Sequence, residues 1–169
     1  MSDRRTAVSP AESALIADNI REPADPRQRR LLDQYAAAFE NADGNALTRL
    51  LRADAVLEMP PAPTWFTGRE QIGQFLTTRV LGRPGDFTMV RVGANGQPGF
   101  AAYRRGPDGR YRAHAIQVLT VDAASIAHVV SFHQPELFAI FGLPAVLPAG
   151  RSAGSSAGSS AAGSVDGRD

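Results

Sequence analysis

The chain has 169 residues, of which 18 are basic and 17 acidic, giving a formal net charge of +1, and it contains no cysteine. That length suits one domain with a substantial core and is short for two. Mixed charges of near-zero sum offer no basic face to displace counterions from nucleic acid, so no direct nucleic-acid contact is expected, and the lack of cysteine excludes disulfides, thiolate nucleophiles, zinc fingers and iron–sulfur sites.

The N-terminal stretch "MSDRRTAVSPAESALIADNI" has no continuous apolar segment of the signal-peptide kind. No run approaches the ~18–20 apolar residues that span a bilayer, so no membrane contact is expected and the cytoplasm is the default location. Residues 1–26 read as a polar flexible tail. The Gly/Ser/Ala-rich stretch 149–169 reads as a disordered one, too poor in apolar side chains to offset its ordering entropy. The folded domain is expected over 27–148.

Within it, Leu31, Leu32, Tyr35 and Phe39 recur at helical spacing until "NADGN", and a short second helix with Leu47, Leu50 and Leu51 follows. "DAVLEMP" (54–60) reads as a strand that stops where the prolines begin. Thr67 and Glu70 have the spacing of a capping box, opening a helix that buries Ile72, Phe75, Leu76 and Val80. Four β-rich runs come next, "DFTMVRVGAN", "PGFAAYRRG", "RYRAHAIQVLTV" and "SIAHVVSFH", separated by turn signals. "PELFAIFG" closes the domain as a short helix between proline and glycine. Helices followed by a meander imply an α+β domain whose sheet curls around helices on one face.

This order of elements, with the stretch "LLDQYAAAFENADGNALTRLLRADAVLEMPPAPTWFTGREQIGQFL" and the later "HAIQVLTV" and "SFHQPELFAIFGLP", resembles the SnoaL-like family of the nuclear transport factor 2-like superfamily. In particular it is similar to the C-terminal SnoaL-like domain of some extracytoplasmic-function sigma factors. The resemblance covers about residues 28–148 and implies a cone-shaped, curved mixed or antiparallel sheet wrapped around the N-terminal helices. Such sigma factors carry their promoter- and polymerase-binding domains ahead of this one. Residues 1–26 are too few for a domain, so a free-standing protein is expected. Free-standing SnoaL-like proteins are, by resemblance, often cofactor-free enzymes of natural-product pathways: polyketide cyclases, isomerases, dehydratases and epoxide-opening enzymes. Several carry an Asp–His or Tyr–His pair inside the cone. The alternative is a non-catalytic small-molecule-binding regulatory module, and the convex sheet face of such folds often forms homodimers.

The candidate residues follow from position. His114 lies amid apolar neighbours, and strict alternation puts it on one face with Arg112, Ile116, Val118 and Thr120, opposite Tyr111, Ala113, Ala115, Gln117 and Leu119. It is either a core histidine or, as the family likeness favours, a general acid/base. Glu58 is the one charge in "AVLEMPP"; facing inward it would share proton transfer with His114, facing outward it would pair with an arginine. Tyr103 could supply a phenolic donor to an oxyanion or epoxide oxygen. The proline-rich loop could hold Trp65 and Phe66 across the cone mouth as a preorganised rim, or Trp65 could pack on the third helix. Met59, Phe132 and His133 complete the candidate substrate-binding set, with His128 expected to be solvated. Isolated histidines without HxxxH or HxH spacing imply no metal, and the absence of GxGxxG, GxxxxGK[ST] and GxSxG patterns implies no nucleotide cofactor and no serine-hydrolase elbow.

Overall fold

The computed structural model of the chain describes residues 23–147 apart from 95 and 123. The expected tails therefore lie, but for residues 23–26, outside the described part. Helix α1 (Pro26–Glu40) begins where the Asp25 carboxylate accepts the Arg27 N–H, with proline in the first turn, and buries Leu31, Leu32, Tyr35, Ala38 and Phe39 along one stripe. Helix α2 (Gly44–Leu50) is capped by Asp43, whose carboxylate accepts the Ala46 N–H at 2.9 Å. Leu51 leaves the expected second helix and opens β1 (Leu51–Glu58), which starts earlier and stops sooner than 54–60.

The loop that follows contains a cis Pro60–Pro61 peptide and returns as β2 (Trp65–Thr67), a short strand that period-two reading of the sequence does not foresee. The expected Thr67 capping box does not form. Thr67 ends β2, and Gly68, at φ 95°, takes the N-cap of α3 (Arg69–Phe75) with no side-chain cap. A positive φ at that junction suits glycine, which has no side chain to cap the helix. The helix runs on as a π-helical segment, Leu76–Val80. Helix α2 meets α3 and the π-helical segment closely: a Cβ on Gly73 would lie 2.1 Å from Thr48 Oγ1, and one on Gly44 would lie 1.9 Å from Thr77 Oγ1.

Strands β3 (Phe87–Ala94), β4 (Gln97–Arg105), β5 (Tyr111–Val121) and β6 (Ile126–Phe132) form the meander. The six-stranded sheet has the order β2-β1-β6-β5-β4-β3. Strand β1 runs parallel to β6, and every other neighbour is antiparallel. The sheet is mixed, curved and open, as the resemblance implied.

Its two faces bury different clusters. The concave face closes over the helices with Tyr35, Phe39, Leu47, Leu57, Ile72, Phe87 and Phe100. The convex face carries a second cluster over β3–β5, in which Tyr103, Ile116 and Val92 pack under Phe138 of α4 (Leu137–Ile140) and the residues after it. The parity of β5 changes between the clusters. Ala102 pairs with Ala115 but Tyr103 with Ala113, so His114 has no partner across the ladder. This is a β-bulge, which re-aims one side chain and reverses the facing of everything before it.

Candidate functional site

The bulge is what builds the site. Tyr111 and Ala113 join the convex cluster with Ile116 and Val118, so the Arg112-to-Thr120 face expected from strict alternation does not exist as one face. His114 and Ala115 both turn to the concave side, where they line a pocket between the sheet and the helices together with Gln117, Ser131 and His133. Apolar walls come from Leu47, Leu57, Ile72, Leu76 and Met59. The enclosed free space is about 30 Å³, room for a water molecule or two and not for a ring system, so anything larger requires the walls to move. The π-helical segment supplies Leu76 and Val80 to that wall, and such segments recur at functional positions in helices.

At the floor, Tyr35 donates its hydroxyl to Gln117 Oε1 at 2.8 Å, both side chains being buried. Burial raises the Tyr35 phenol, so it stays protonated and the amide stays oriented. At the mouth, the His114 and His133 rings meet edge to face with centroids 5.2 Å apart, and His133 Nε2 lies 3.2 Å from Ser131 Oγ. The His133 N–H reaches the Pro60 carbonyl at 3.5 Å, which ties the proline loop to this end of β6. Phe87 packs edge-on against His114 at 5.4 Å, and the Arg104 guanidinium sits 5.9 Å above the Phe87 ring. Burial, then His133, then Arg104 hold the His114 imidazole down at about 4. Burial lowers His133 as well. Both rings are neutral donors or acceptors at pH 7, and the lining contains no carboxylate.

Residues 32–129 match the family described as the SnoaL-like domain. The chain belongs to that family. Among curated proteins, it is 37% identical over 129 residues to the ECF RNA polymerase sigma factor SigG of Mycobacterium tuberculosis, an alignment that takes in 76% of the chain and 35% of the relative. The SnoaL-like chain thus spans about a third of the length of the curated relatives it matches. Its fold is shared with a steroid delta-isomerase from Pseudomonas aeruginosa (TM-score 0.54, 21% identity, covering 72% of this chain and 90% of that one). It is also shared with an NTF-2 like protein of unknown function from Burkholderia xenovorans (TM-score 0.52, 16% identity, covering 62% and 80%). At these identities the likeness speaks for the fold alone.

Placed in the SnoaL-like fold, the expected site residues separate. His114, His133 and Met59 line the pocket. Glu58 does not meet His114: it faces the convex side, where its Oε1 lies 3.0 Å from His128 Nε2, because β1 and β6 pair in parallel with Val56 beside His128 and Glu58 beside Val130. The outward reading of Glu58 holds, with a histidine in place of an arginine, and His128 is half-buried against it. Tyr103 is fully buried in the convex cluster, donating to the Pro144 carbonyl at 2.8 Å and packing edge-on against Phe138 at 5.0 Å. Burial pushes its phenol up to about 12, and it cannot reach the pocket.

Phe132 belongs to the convex cluster too. Trp65 is 67% exposed, on the edge strand opposite Glu58, and forms neither a rim nor core packing on the third helix. Phe66 instead turns inward and stacks on Phe75 at 4.4 Å, which buttresses the pocket wall from behind. Tyr35, Gln117 and Ser131 are the polar residues that sequence reasoning missed. Gln117 carried a signal, as the one amide between Ala115 and Leu119 on an otherwise apolar face. Among the described residues no cluster of His, Asp and Glu is placed to hold a metal, and no helix is long and apolar enough to cross a membrane.

Proposed function

We propose that this SnoaL-like domain is a regulatory module that binds a small, largely apolar molecule in the cone without transforming it. The observation that supports this most is the chemistry of the lining. A general acid/base works best with a pKa near the operating pH. His114 is held near 4, and no carboxylate in the pocket could relay a proton to it. A neutral imidazole, a locked amide and an apolar wall suit recognition by hydrogen bond and shape. The relationship to a sigma factor supports a role in controlling another domain rather than in turnover. Two copies would pair through the convex side of β1, β2 and β6, which α4 leaves uncovered and where Trp65 is exposed.

A second reading has its own support: His114 and His133 touch inside an apolar pocket, and the fold is shared with a steroid delta-isomerase. Under it the domain is a cofactor-free natural-product tailoring enzyme that cyclises, isomerises or opens an epoxide, with the two imidazoles exchanging the proton. One experiment separates the two. Small apolar candidates are titrated while thermal stability is followed, and each mixture is then assayed by mass and by NMR for a changed compound, since isomers share one mass. Saturable binding that raises stability by ~2.7 kcal/mol at a hundredfold excess over Kd, with the compound unchanged, supports the sensor. Conversion that His114→Ala slows ~10²–10⁴-fold supports the enzyme and overturns the sensor.

A further inference from the structure

The end of the sheet beside the pocket is unevenly charged. Arg104, Arg105 and Arg112 lie together where β4 and β5 approach the hairpin, Arg104 standing opposite Arg112 in the ladder. Two of them have carboxylates of their own. Arg112 is held fork-on by Asp108, with contacts of 2.8 and 2.7 Å. Arg105 reaches Asp86 at 3.4 Å, and Asp86 also accepts the Arg83 N–H at 2.9 Å. Arg104 has no such partner among the described residues. Asp86 lies close enough to feel its charge, yet it is engaged by Arg83 and Arg105.

Arg104 alternates with Ala102 and Phe100 on the concave side of β4 and lies over Phe87, whose edge meets His114. The Arg104 guanidinium thus stands just outside the pocket lining, one aromatic ring beyond His114 and near enough for its charge to act on that imidazole, while His114 and His133 line an apolar pocket with no acidic residue in its wall. A guanidinium presents a planar fork that matches a carboxylate, and a charge-assisted bond of this kind outweighs a neutral one.

Resting on the reading of the cone as a ligand pocket, we propose that its ligand is a small monocarboxylic acid. Its carboxylate sits at the mouth between Arg104, His114 and His133, and its short apolar body points toward Met59 and Leu57. A single negative charge fits one unpaired guanidinium. The narrow interior favours a body of a few carbons, which enters as Phe75 and the π-helical segment give way. Bound anion replaces the repulsive and desolvating surroundings that keep the imidazoles neutral, so binding raises the pKa of both rings and takes up protons as pH falls toward 6.

The test titrates the full chain with straight-chain carboxylates from propionate to decanoate and with the primary alcohols of the same lengths, reading affinity by calorimetry and the histidine ring signals by NMR. Carboxylates are expected to bind at least ~10-fold more tightly than their alcohols, because a charge-assisted bond to the guanidinium outweighs a neutral one. Arg104→Gln should remove that preference, Arg104→Lys should keep part of it, and Arg105→Gln should leave it intact. Carboxylate binding should move the His114 and His133 titrations upward, and the alcohols should not. Equal affinity for both classes, or a preference that survives Arg104→Gln, overturns the carboxylate while leaving the apolar pocket standing. If neither class perturbs the His114 or His133 signals, the reading of the cone as a ligand pocket fails first.

Discussion

Each face of the sheet carries a histidine contact, and the two contacts have opposite chemistry. On the convex side His128 meets the Glu58 carboxylate at 3.0 Å, half in solvent. On the concave side His114 meets another imidazole and the edge of Phe87, with the Arg104 guanidinium over that ring. The convex contact is half-exposed and of small energetic consequence; the concave pair is kept neutral by its surroundings. A histidine near a carboxylate is what acid/base chemistry would ask for, yet here that pair lies outside the pocket. Burial and surroundings, more than residue type, decide what an imidazole can do.

The comparison breaks most visibly at the convex cluster. Tyr103→Ala should cost ~3–5 kcal/mol of stability, as a fully buried aromatic does, and Tyr103→Phe about 1 kcal/mol for the hydrogen bond to Pro144. Chemical denaturation measures both, and ligand affinity in the folded Tyr103→Phe protein should be unchanged. On the helical side, Gly73→Ala should cost ~1–3 kcal/mol, because its methyl would meet Thr48 Oγ1 at 2.1 Å. Adding Thr48→Ala should return most of that loss; no return would place the strain elsewhere.

Acid should weaken the fold through His114. Its folded pKa lies below the unfolded value of about 6.5, so the unfolded chain binds the extra proton, and stability present above pH 6.5 is lost as pH falls toward 4. A shift of that size corresponds to ~3 kcal/mol, which partial exposure of the ring reduces to about 1–2 kcal/mol. Stability curves of the parent and of His114→Gln between those pH values should diverge by that amount, and parallel curves would refute the desolvation account. The smallest effect belongs to the convex pair: Glu58→Gln should change stability by less than about 0.5 kcal/mol and leave pocket binding unaltered.

The sequence made the helices and the meander readable because their signals are local. The stripe from Leu31 to Phe39, the alternation in β3 and β4 and the glycine turns all depend on near neighbours. The site was less readable because its assembly depends on a single extra residue. Period-two counting works along β5 only up to the bulge at His114, and nothing in "RYRAHAIQV" marks where the ladder slips. The facing of Glu58 is open in the sequence for a related reason: it is set by parallel pairing with a strand far along the chain. Trp65 looked like a rim because prolines flank it, but the stiff loop presents Phe66 to the interior and leaves tryptophan outside.

That parallel pairing of β1 with β6 also sets when the pocket can exist. Leu57 and Val129 are neighbours in the sheet although roughly seventy residues separate them, and closing so long a loop is an entropic cost that local hairpins do not face. The β3–β6 meander can zip residue by residue. The wall carrying Leu57 and Met59 is joined to the rest only through the pairing of β1 with β6, so the chamber depends on the longest-range contact in the sheet. A ligand held there grips both ends of the domain at once, and its binding energy guards against opening of the whole fold rather than fraying of one element.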